Sequence, residues 1–94
     1  MPEKEKMDRK VLVRNMTANL PILRTALGLT QEELADKIGV SRGTVIAIET
    51  GKREMTWNTF LSLILLFTKN EATDRLLQVL EIYTDDLNAF IKLR

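Results

Sequence analysis

The chain has 94 residues, 45% hydrophobic and 29% charged, and this length suits one small domain rather than a large multi-step enzyme. It contains neither Cys nor His, which excludes disulfides, Cys nucleophiles, His-based triads and nearly all zinc sites. The first ten residues are charged and lack the apolar segment of a signal peptide, and no apolar stretch approaches the roughly 20 residues of a membrane span. We therefore expect a cytoplasmic protein with no membrane segment, no catalytic site, no metal and no cofactor.

The two parts of the chain differ in charge, although the net charge is only +1. Residues 1–53 carry ten Lys and Arg against seven Asp and Glu, whereas residues 54–94 carry four against six. This weak asymmetry is what a protein with a single polyanion-binding face would show.

The N-terminal part of the chain predicts an arm followed by two helices. Residues 1–7 predict a disordered arm, and residues 8–16 predict a short extra helix. Pro21 fits the first turn of a helix, so Asn19 or a neighbour is expected to cap a second helix. Gly28 supplies the left-handed residue that ends it.

The centre of the chain predicts two short helices joined by a tight turn. Thr30 and Glu33 match the capping-box pattern at the start of the first helix, and Gly39 ends it with positive φ. Ser41 caps the next helix, which Gly51 ends. The apolar residues expected to fill the wedge between the two helices are Leu34, Ala35, Ile38, Val40, Val45 and Ile48. An ordinary αα-hairpin is the alternative, but this joint spacing is specific for a helix-turn-helix.

Three further helices are predicted after this pair. They cover residues 57–67 after Thr56, residues 71–80 after Asn70 and residues 85–92 after Thr84. The expected fold is therefore all-α, a compact bundle of five to six short helices. Its expected organisation is an N-terminal arm with a possible short helix (1–18), a helix-turn-helix core (19–69) and a C-terminal helical extension (70–94).

Residues 20–53, from Leu20-Pro-Ile-Leu-Arg-Thr to Glu-Thr-Gly-Lys-Arg53, resemble the phage-repressor/Cro (XRE) family of helix-turn-helix DNA-binding proteins. The resemblance continues through residues 57–67 and covers about half of the chain. It implies a lambda-repressor-like fold and a repressor-type transcriptional regulator that binds a palindromic operator in double-stranded DNA as a homodimer.

The resemblance also implies roles for individual residues. Gln31 resembles the glutamine that bonds a DNA phosphate and braces the recognition helix, while Arg42 and Ala47 match positions that touch base edges. The implied DNA-binding residues are Gln31, Ser41, Arg42, Gly43, Thr44, Ala47, Thr50, Lys52 and Arg53. Arg24 and Glu49 match a family pair that forms a structural salt bridge between the first and third helices.

Two residues depart from the family pattern. Gly43 stands where the family has a polar side chain that reads a base, so it either permits close backbone approach to DNA or gives up a contact. Ile46 is apolar at a position that is usually polar, and it contacts either thymine methyl groups or another part of the protein. With few side chains available for base contacts, readout of DNA shape gains importance.

The helix predicted at residues 57–67 is apolar nearly all round, because Leu61 and Leu65 lie on a stripe that the family keeps polar. Such a helix is expected to be buried on both sides. The C-terminal helices offer cover, from the same subunit or from a partner, so we predict that they hold the dimer. The predicted interface residues are Leu61, Leu65, Leu77, Leu80, Leu87 and Phe90.

The competing interpretation is an antitoxin or adaptor whose C-terminal apolar surface binds another protein. An enzyme is the third class, and it is excluded because no nucleophile–base pair or metal cluster can be assembled from these residues. The basic residues of the arm are interleaved with acids, and they predict either a solvated tail or an arm that wraps DNA. These residues are Lys4, Lys6, Arg9 and Lys10.

Overall fold

The computed structural model describes residues 7–93, which form helices joined by short connections. The helices are α1 (Arg9–Ala26), α2 (Gln31–Ile38), α3 (Arg42–Glu49), α4 (Trp57–Thr68), α5 (Glu71–Val79) and α6 (Asp85–Ile91). The described residues contain no strand, so the all-α prediction is confirmed. None of these helices combines the length and the apolarity needed to cross a bilayer.

The first helix departs most from the sequence-based prediction. The sequence predicts a short helix over residues 8–16 and a separate helix capped near Asn19, but one helix of 18 residues runs from Arg9 to Ala26. Pro21 lies inside this helix rather than in a first turn. The predicted break is therefore wrong, and the boundary proposed after residue 18 falls within a continuous helix.

A buried stripe explains the continuity of α1. Four buried side chains recur at helical spacing on both sides of Pro21, namely Leu12, Met16, Leu20 and Leu23. A proline inside a helix costs about 3 kcal/mol, because it removes one N–H donor and its ring clashes with a preceding carbonyl. Burial of Leu12 and Met16 contributes about 1.5–3 kcal/mol for each side chain. Packing in the shared core therefore outweighs the cost of the proline.

The predicted N-terminal arm falls mostly on residues 1–6, which lie outside the described residues together with Lys4 and Lys6. The last residue assigned to the arm, Met7, is buried in the core and belongs to the fold. Asp8 begins α1 as its N-cap, where its carboxylate accepts hydrogen bonds from two amides of the first turn.

The helix-turn-helix forms as predicted, and local hydrogen bonds define its turn. The Thr30 hydroxyl accepts a bond from the Glu33 amide, and the Glu33 carboxylate accepts one from the Thr30 amide, which completes the capping box. Gly39 ends α2 with a φ of 76°. Ser41 caps α3 by accepting a hydrogen bond from the Thr44 amide at 3.1 Å.

The core lies where α1 packs against α3, α4 and α5, with α2 held between α3 and α4. The predicted wedge residues that are fully buried are Leu34, Ala35, Val45 and Ile48. Ile38 and Val40 are half-buried and pack against this cluster. The wedge prediction is therefore confirmed.

Helices α5 and α6 begin at their predicted residues, but by different means. Thr84 caps α6 by accepting a hydrogen bond from the Leu87 amide. Asn70 occupies the N-cap position of α5 without a side-chain capping bond, because its amide group donates to the Leu66 carbonyl instead. Asn70 therefore lies at the predicted N-cap position, but the prediction that its side chain caps the helix is wrong.

The turn between α5 and α6 joins the C-terminal helices to α1. Glu81 adopts a φ of 59°, the one positive φ outside glycine among residues 7–93. The amides of Ile82 and Tyr83 donate to the Leu77 carbonyl at 2.8 and 2.9 Å, which closes the end of α5. The Glu81 carbonyl accepts a hydrogen bond from the side chain of Asn15 in α1 at 3.1 Å. This turn is thus part of the fold rather than a loose connection.

Candidate nucleic-acid interface

Helix α3 turns one face into the core and the other away from it. Val45 and Ile48 are buried, whereas Arg42 and Gly43 at the start of the helix are exposed. Ala47 lies on the flank and is half-buried. The exposed face of α3 therefore carries one cation, Arg42. Next to it, the backbone of Gly43 is exposed because glycine has no side chain.

A chain of polar contacts joins the start of α3 to the loop that follows it. The Ser41 and Thr44 hydroxyl oxygens lie 2.9 Å apart. The Arg53 guanidinium donates to the Thr44 hydroxyl at 3.3 Å, across nine residues of sequence. The side chains of Ser41, Thr44 and Arg53 therefore lie together on one surface, and their DNA-facing roles stay predictions.

The loop after α3 folds back on the helix and presents two cations. Gly51 adopts a φ of 79°, and the Lys52 and Arg53 amides both donate to the Ala47 carbonyl. Lys52 and Arg53 are exposed. The Thr50 hydroxyl donates to the Ile46 carbonyl at 2.8 Å, so it must rotate before it can donate to a phosphate.

The predicted salt bridge between α1 and α3 is present. The Arg24 guanidinium contacts both carboxylate oxygens of Glu49, at 2.9 and 3.3 Å, and the two side chains are 15% and 6% exposed. Arg24 also donates to the Leu29 carbonyl at 2.9 Å. Glu49, the single carboxylate of α3, is thus neutralised from within the protein.

Gln31 takes part in the same network, through a hydrogen bond to Glu49 that the sequence analysis did not specify. Its side-chain amide donates to a Glu49 oxygen at 2.9 Å and so ties the start of α2 to the end of α3. This hydrogen bond joins α2 to α3 within the protein, and a bracing role for Gln31 in DNA binding stays a prediction. The contact of Gln31 with a DNA phosphate stays a prediction.

The structure separates the residues predicted for the dimer interface into two groups. Leu77 and Leu87 are 0% exposed within the single chain, so they belong to its core and their assignment to an interface is wrong. Phe90 is exposed, and Leu61 and Leu80 are half-buried. Leu65 is 62% exposed, so the expected burial of α4 on both sides does not occur within this subunit.

Three basic residues of α1 also lie beside the α3–α4 loop, and two of them, Arg9 and Lys10, were assigned to an N-terminal arm, either solvated or wrapping DNA, but belong to this helix. Arg9, Lys10 and Arg14 line a groove whose other wall includes Arg53 and Gly51. The spacing of Lys10 and Arg14 along one helix face was the signal for this cluster. The cluster as a whole was missed, because the break predicted near Asn19 separated Arg14 from the helix-turn-helix and left Arg9 and Lys10 in an arm.

This arrangement of capped helices defines a helix-turn-helix domain, and comparison with known proteins agrees. Residues 22–56 match the sequence profile of a helix-turn-helix family. That segment contains the end of α1, all of α2 and α3, and the loop that presents Lys52 and Arg53. This part of the chain is therefore similar to a helix-turn-helix family.

Two curated relatives share this region. An uncharacterised HTH-type transcriptional regulator of Methanothermobacter thermautotrophicus is 62% identical over 29 residues, which is 31% of this chain and 42% of that protein. Another, from Methanocaldococcus jannaschii, is 57% identical over 37 residues, which is 39% of this chain and 56% of that protein. The matched region thus spans about half the length of each relative. No solved structure shows significant similarity.

Proposed function

We propose that this protein is a DNA-binding transcriptional regulator in which α3 enters the major groove. The exposed face of α3 carries the proposal, because it combines Arg42 with the cations Lys52 and Arg53 just beyond the helix. The names of the two relatives, HTH-type transcriptional regulators, support the same function. The helix-turn-helix is a motif that places its second helix in the major groove.

The charges on this surface suit a polyanion. Glu49 is the carboxylate in α3, and Arg24 pairs with it on the inner side of the helix. This pairing leaves Arg42, Lys52 and Arg53 as the charges that α3 and the start of its following loop present to DNA. Arg42 makes a bidentate contact with guanine O6 and N7, and the two loop cations bind phosphates.

The regulator acts as a repressor and binds a palindromic operator as a homodimer. One α3 offers few base contacts, and a second copy about 34–36 Å away doubles the sequence that is read. The exposed apolar side chains of α4 and α5, Leu65 and Val79, supply surface for a two-fold interface.

Selection of bound sequences from random duplex DNA tests this proposal. The expected result is a two-fold symmetric consensus whose half-sites lie about one helical turn apart and contain a guanine that Arg42 reads. A single unpaired half-site would contradict the homodimer, and recovery of no enriched sequence would contradict specific binding.

The same exposed apolar residues favour a second candidate, an antitoxin or adaptor that binds another protein. The two functions predict different oligomeric states for the purified protein. Light scattering of the protein alone gives a dimer for the regulator, whereas an isolated monomer that forms a stable complex with a copurified protein supports the adaptor.

A further inference from the structure

A basic groove runs between the N-terminal half of α1 and the α3–α4 loop. Its volume is about 600 Å³, and its cationic lining residues are Arg9, Lys10, Arg14 and Arg53. The wall formed by α1 begins at Arg9, about three turns of helix before Pro21, in the part of α1 that precedes the residues matched by the family. One wall of the groove therefore lies outside the matched helix-turn-helix residues, and the other wall lies within them.

The lining of the groove is strongly positive. Four cations face it, together with one carboxylate, that of Glu54. The ion pair found among residues 7–93 is the one between Arg24 and Glu49, which lies outside the groove. Lys10 and Arg14 are exposed and stand four residues apart, so they lie on the same face of α1. Such a concentration of like charge favours an anionic ligand.

Arg53 connects this groove to the surface of α3. Its side chain lines the groove and also donates a hydrogen bond to Thr44 in the first turn of α3. Gly51, the residue that ends the α3 region, lines the groove as well. The groove and the start of α3 are therefore adjacent surfaces that share Arg53.

Arg9, one of the residues that line the groove, lies against two aromatic rings. Its guanidinium carbon lies 4.8 Å from the ring centroid of Trp57 and 5.2 Å from that of Phe90. Both rings lie within cation–π distance of the guanidinium and favour its position there. Holding the side chain in place lowers the entropy lost when it binds a ligand.

We propose that this groove binds the phosphodiester backbone of duplex DNA next to the base pairs that α3 reads. The inference rests on the proposed function and extends its contact surface from α3 to the first two turns of α1. Lys10, Arg14 and Arg53 bind phosphates, and Arg9 adds a further cation to the same groove. These contacts supply affinity without sequence preference.

The test compares the Lys10→Ala/Arg14→Ala double variant with the unaltered protein on the selected site and on a random duplex. Each phosphate contact changes the slope of log K against log salt by about 0.9, so the double variant loses about 2 units of slope. Affinity falls roughly tenfold or more on both duplexes, while the preferred sequence stays the same. Alanine favours helix formation, and both residues are exposed, so the variant retains the fold.

Lys69→Ala is the matched control. Lys69 is an exposed cation at the opposite end of α4, which has 12 residues and is therefore about 18 Å long. This variant should keep the salt slope of the unaltered protein. An equal loss of slope in Lys69→Ala would show that net charge, and not the groove, is responsible, and it would overturn the inference.

The remaining outcomes separate the groove from the proposed function. If the unaltered protein binds DNA and the double variant binds with the same slope and affinity, the groove inference is overturned and the proposed function stands. If the unaltered protein binds no duplex, both are overturned. Competition by inorganic phosphate at millimolar concentration, with no dependence on duplex length, would identify a free-anion site and also contradict backbone binding.

Discussion

Arg42 stands directly after the Ser41 N-cap, where the first turn of α3 is exposed and lacks other charged side chains. We expect Arg42→Ala to weaken binding to the selected site by about 1–3 kcal/mol, because a bidentate contact with guanine is lost. Binding to random duplex should stay nearly unchanged. Fluorescence anisotropy on the two duplexes measures the difference.

Lys52→Ala is the comparison for that experiment, because Lys52 is an exposed cation in the loop after α3. It should weaken binding to both duplexes alike and reduce the salt slope by about 1 unit. If Arg42→Ala lowers both affinities equally, the assignment of Arg42 to base reading is wrong.

The Arg24–Glu49 pair predicts an effect on stability rather than on base preference. Truncation of Arg24 leaves a nearly buried carboxylate with Gln31 as its remaining partner, so Arg24→Ala should lower the free energy of unfolding by about 3 kcal/mol. Urea denaturation measures this loss, and the exposed Arg75→Ala serves as control. A changed consensus sequence with unchanged stability would make Arg24 a DNA contact instead.

At the scale of single elements, Pro21 tests whether α1 is one helix. Pro21→Ala restores the missing N–H donor inside α1 and relieves a clash worth about 3 kcal/mol, while it makes the unfolded chain more flexible by up to about 1 kcal/mol. The expected net gain in the free energy of unfolding is about 2 kcal/mol. If Pro21 instead occupied the first turn of a separate helix, the substitution would lower stability, and thermal and urea denaturation distinguish the two signs.

Replacement of Glu81, in the turn after α5, is a second substitution that we expect to raise stability. Glu81 holds a left-handed backbone conformation, which costs a residue with a Cβ roughly 1–2 kcal/mol. Glu81→Gly should therefore raise the free energy of unfolding by about 1 kcal/mol and leave the hydrogen bond from Asn15 to the backbone carbonyl intact. Glu71→Gly, within α5, is the control and should lower stability; a loss in both variants would contradict the strain assigned to Glu81.

At the scale of the whole molecule, the C-terminal helices are part of the core. Deletion of residues 71–94 would remove Leu77, Ile82 and Leu87, all fully buried, and would expose the inner face of α4. Such a truncated chain unfolds rather than yielding a folded monomer. A test of dimerisation must therefore change side chains that are already exposed.

Leu65→Glu combined with Val79→Glu meets this requirement, because the two side chains are 62% and 71% exposed. We expect this variant to sediment as a folded monomer and to bind the selected palindrome roughly a hundredfold more weakly, because the second half-site is no longer tethered. Ile22→Glu, an exposed apolar residue of α1, is the control and should stay dimeric. A double variant that remains dimeric would place the interface elsewhere.

Local signals in the sequence predicted the helix-turn-helix well. The Thr30 capping box, the left-handed Gly39 and the Ser41 cap each involve bonds or dihedral angles within three or four residues. Such interactions depend little on the rest of the chain. The same reasoning failed at Asn70, whose side chain had two hydrogen-bonding options within reach and took the carbonyl of Leu66.

The sequence by itself determined where the helices of the motif begin and end, and which residues form the exposed face of α3. Only the tertiary structure decided that α1 runs through Pro21, that Leu77 is core, and that Arg14 lies beside Arg53. The physical reason is the range of the interactions. Caps and turns are decided by residues that are neighbours in the sequence. The burial that outweighs the cost of Pro21, the packing that covers Leu77 and the proximity of Arg14 to Arg53 depend instead on helices that are distant in the sequence and meet only in the folded chain.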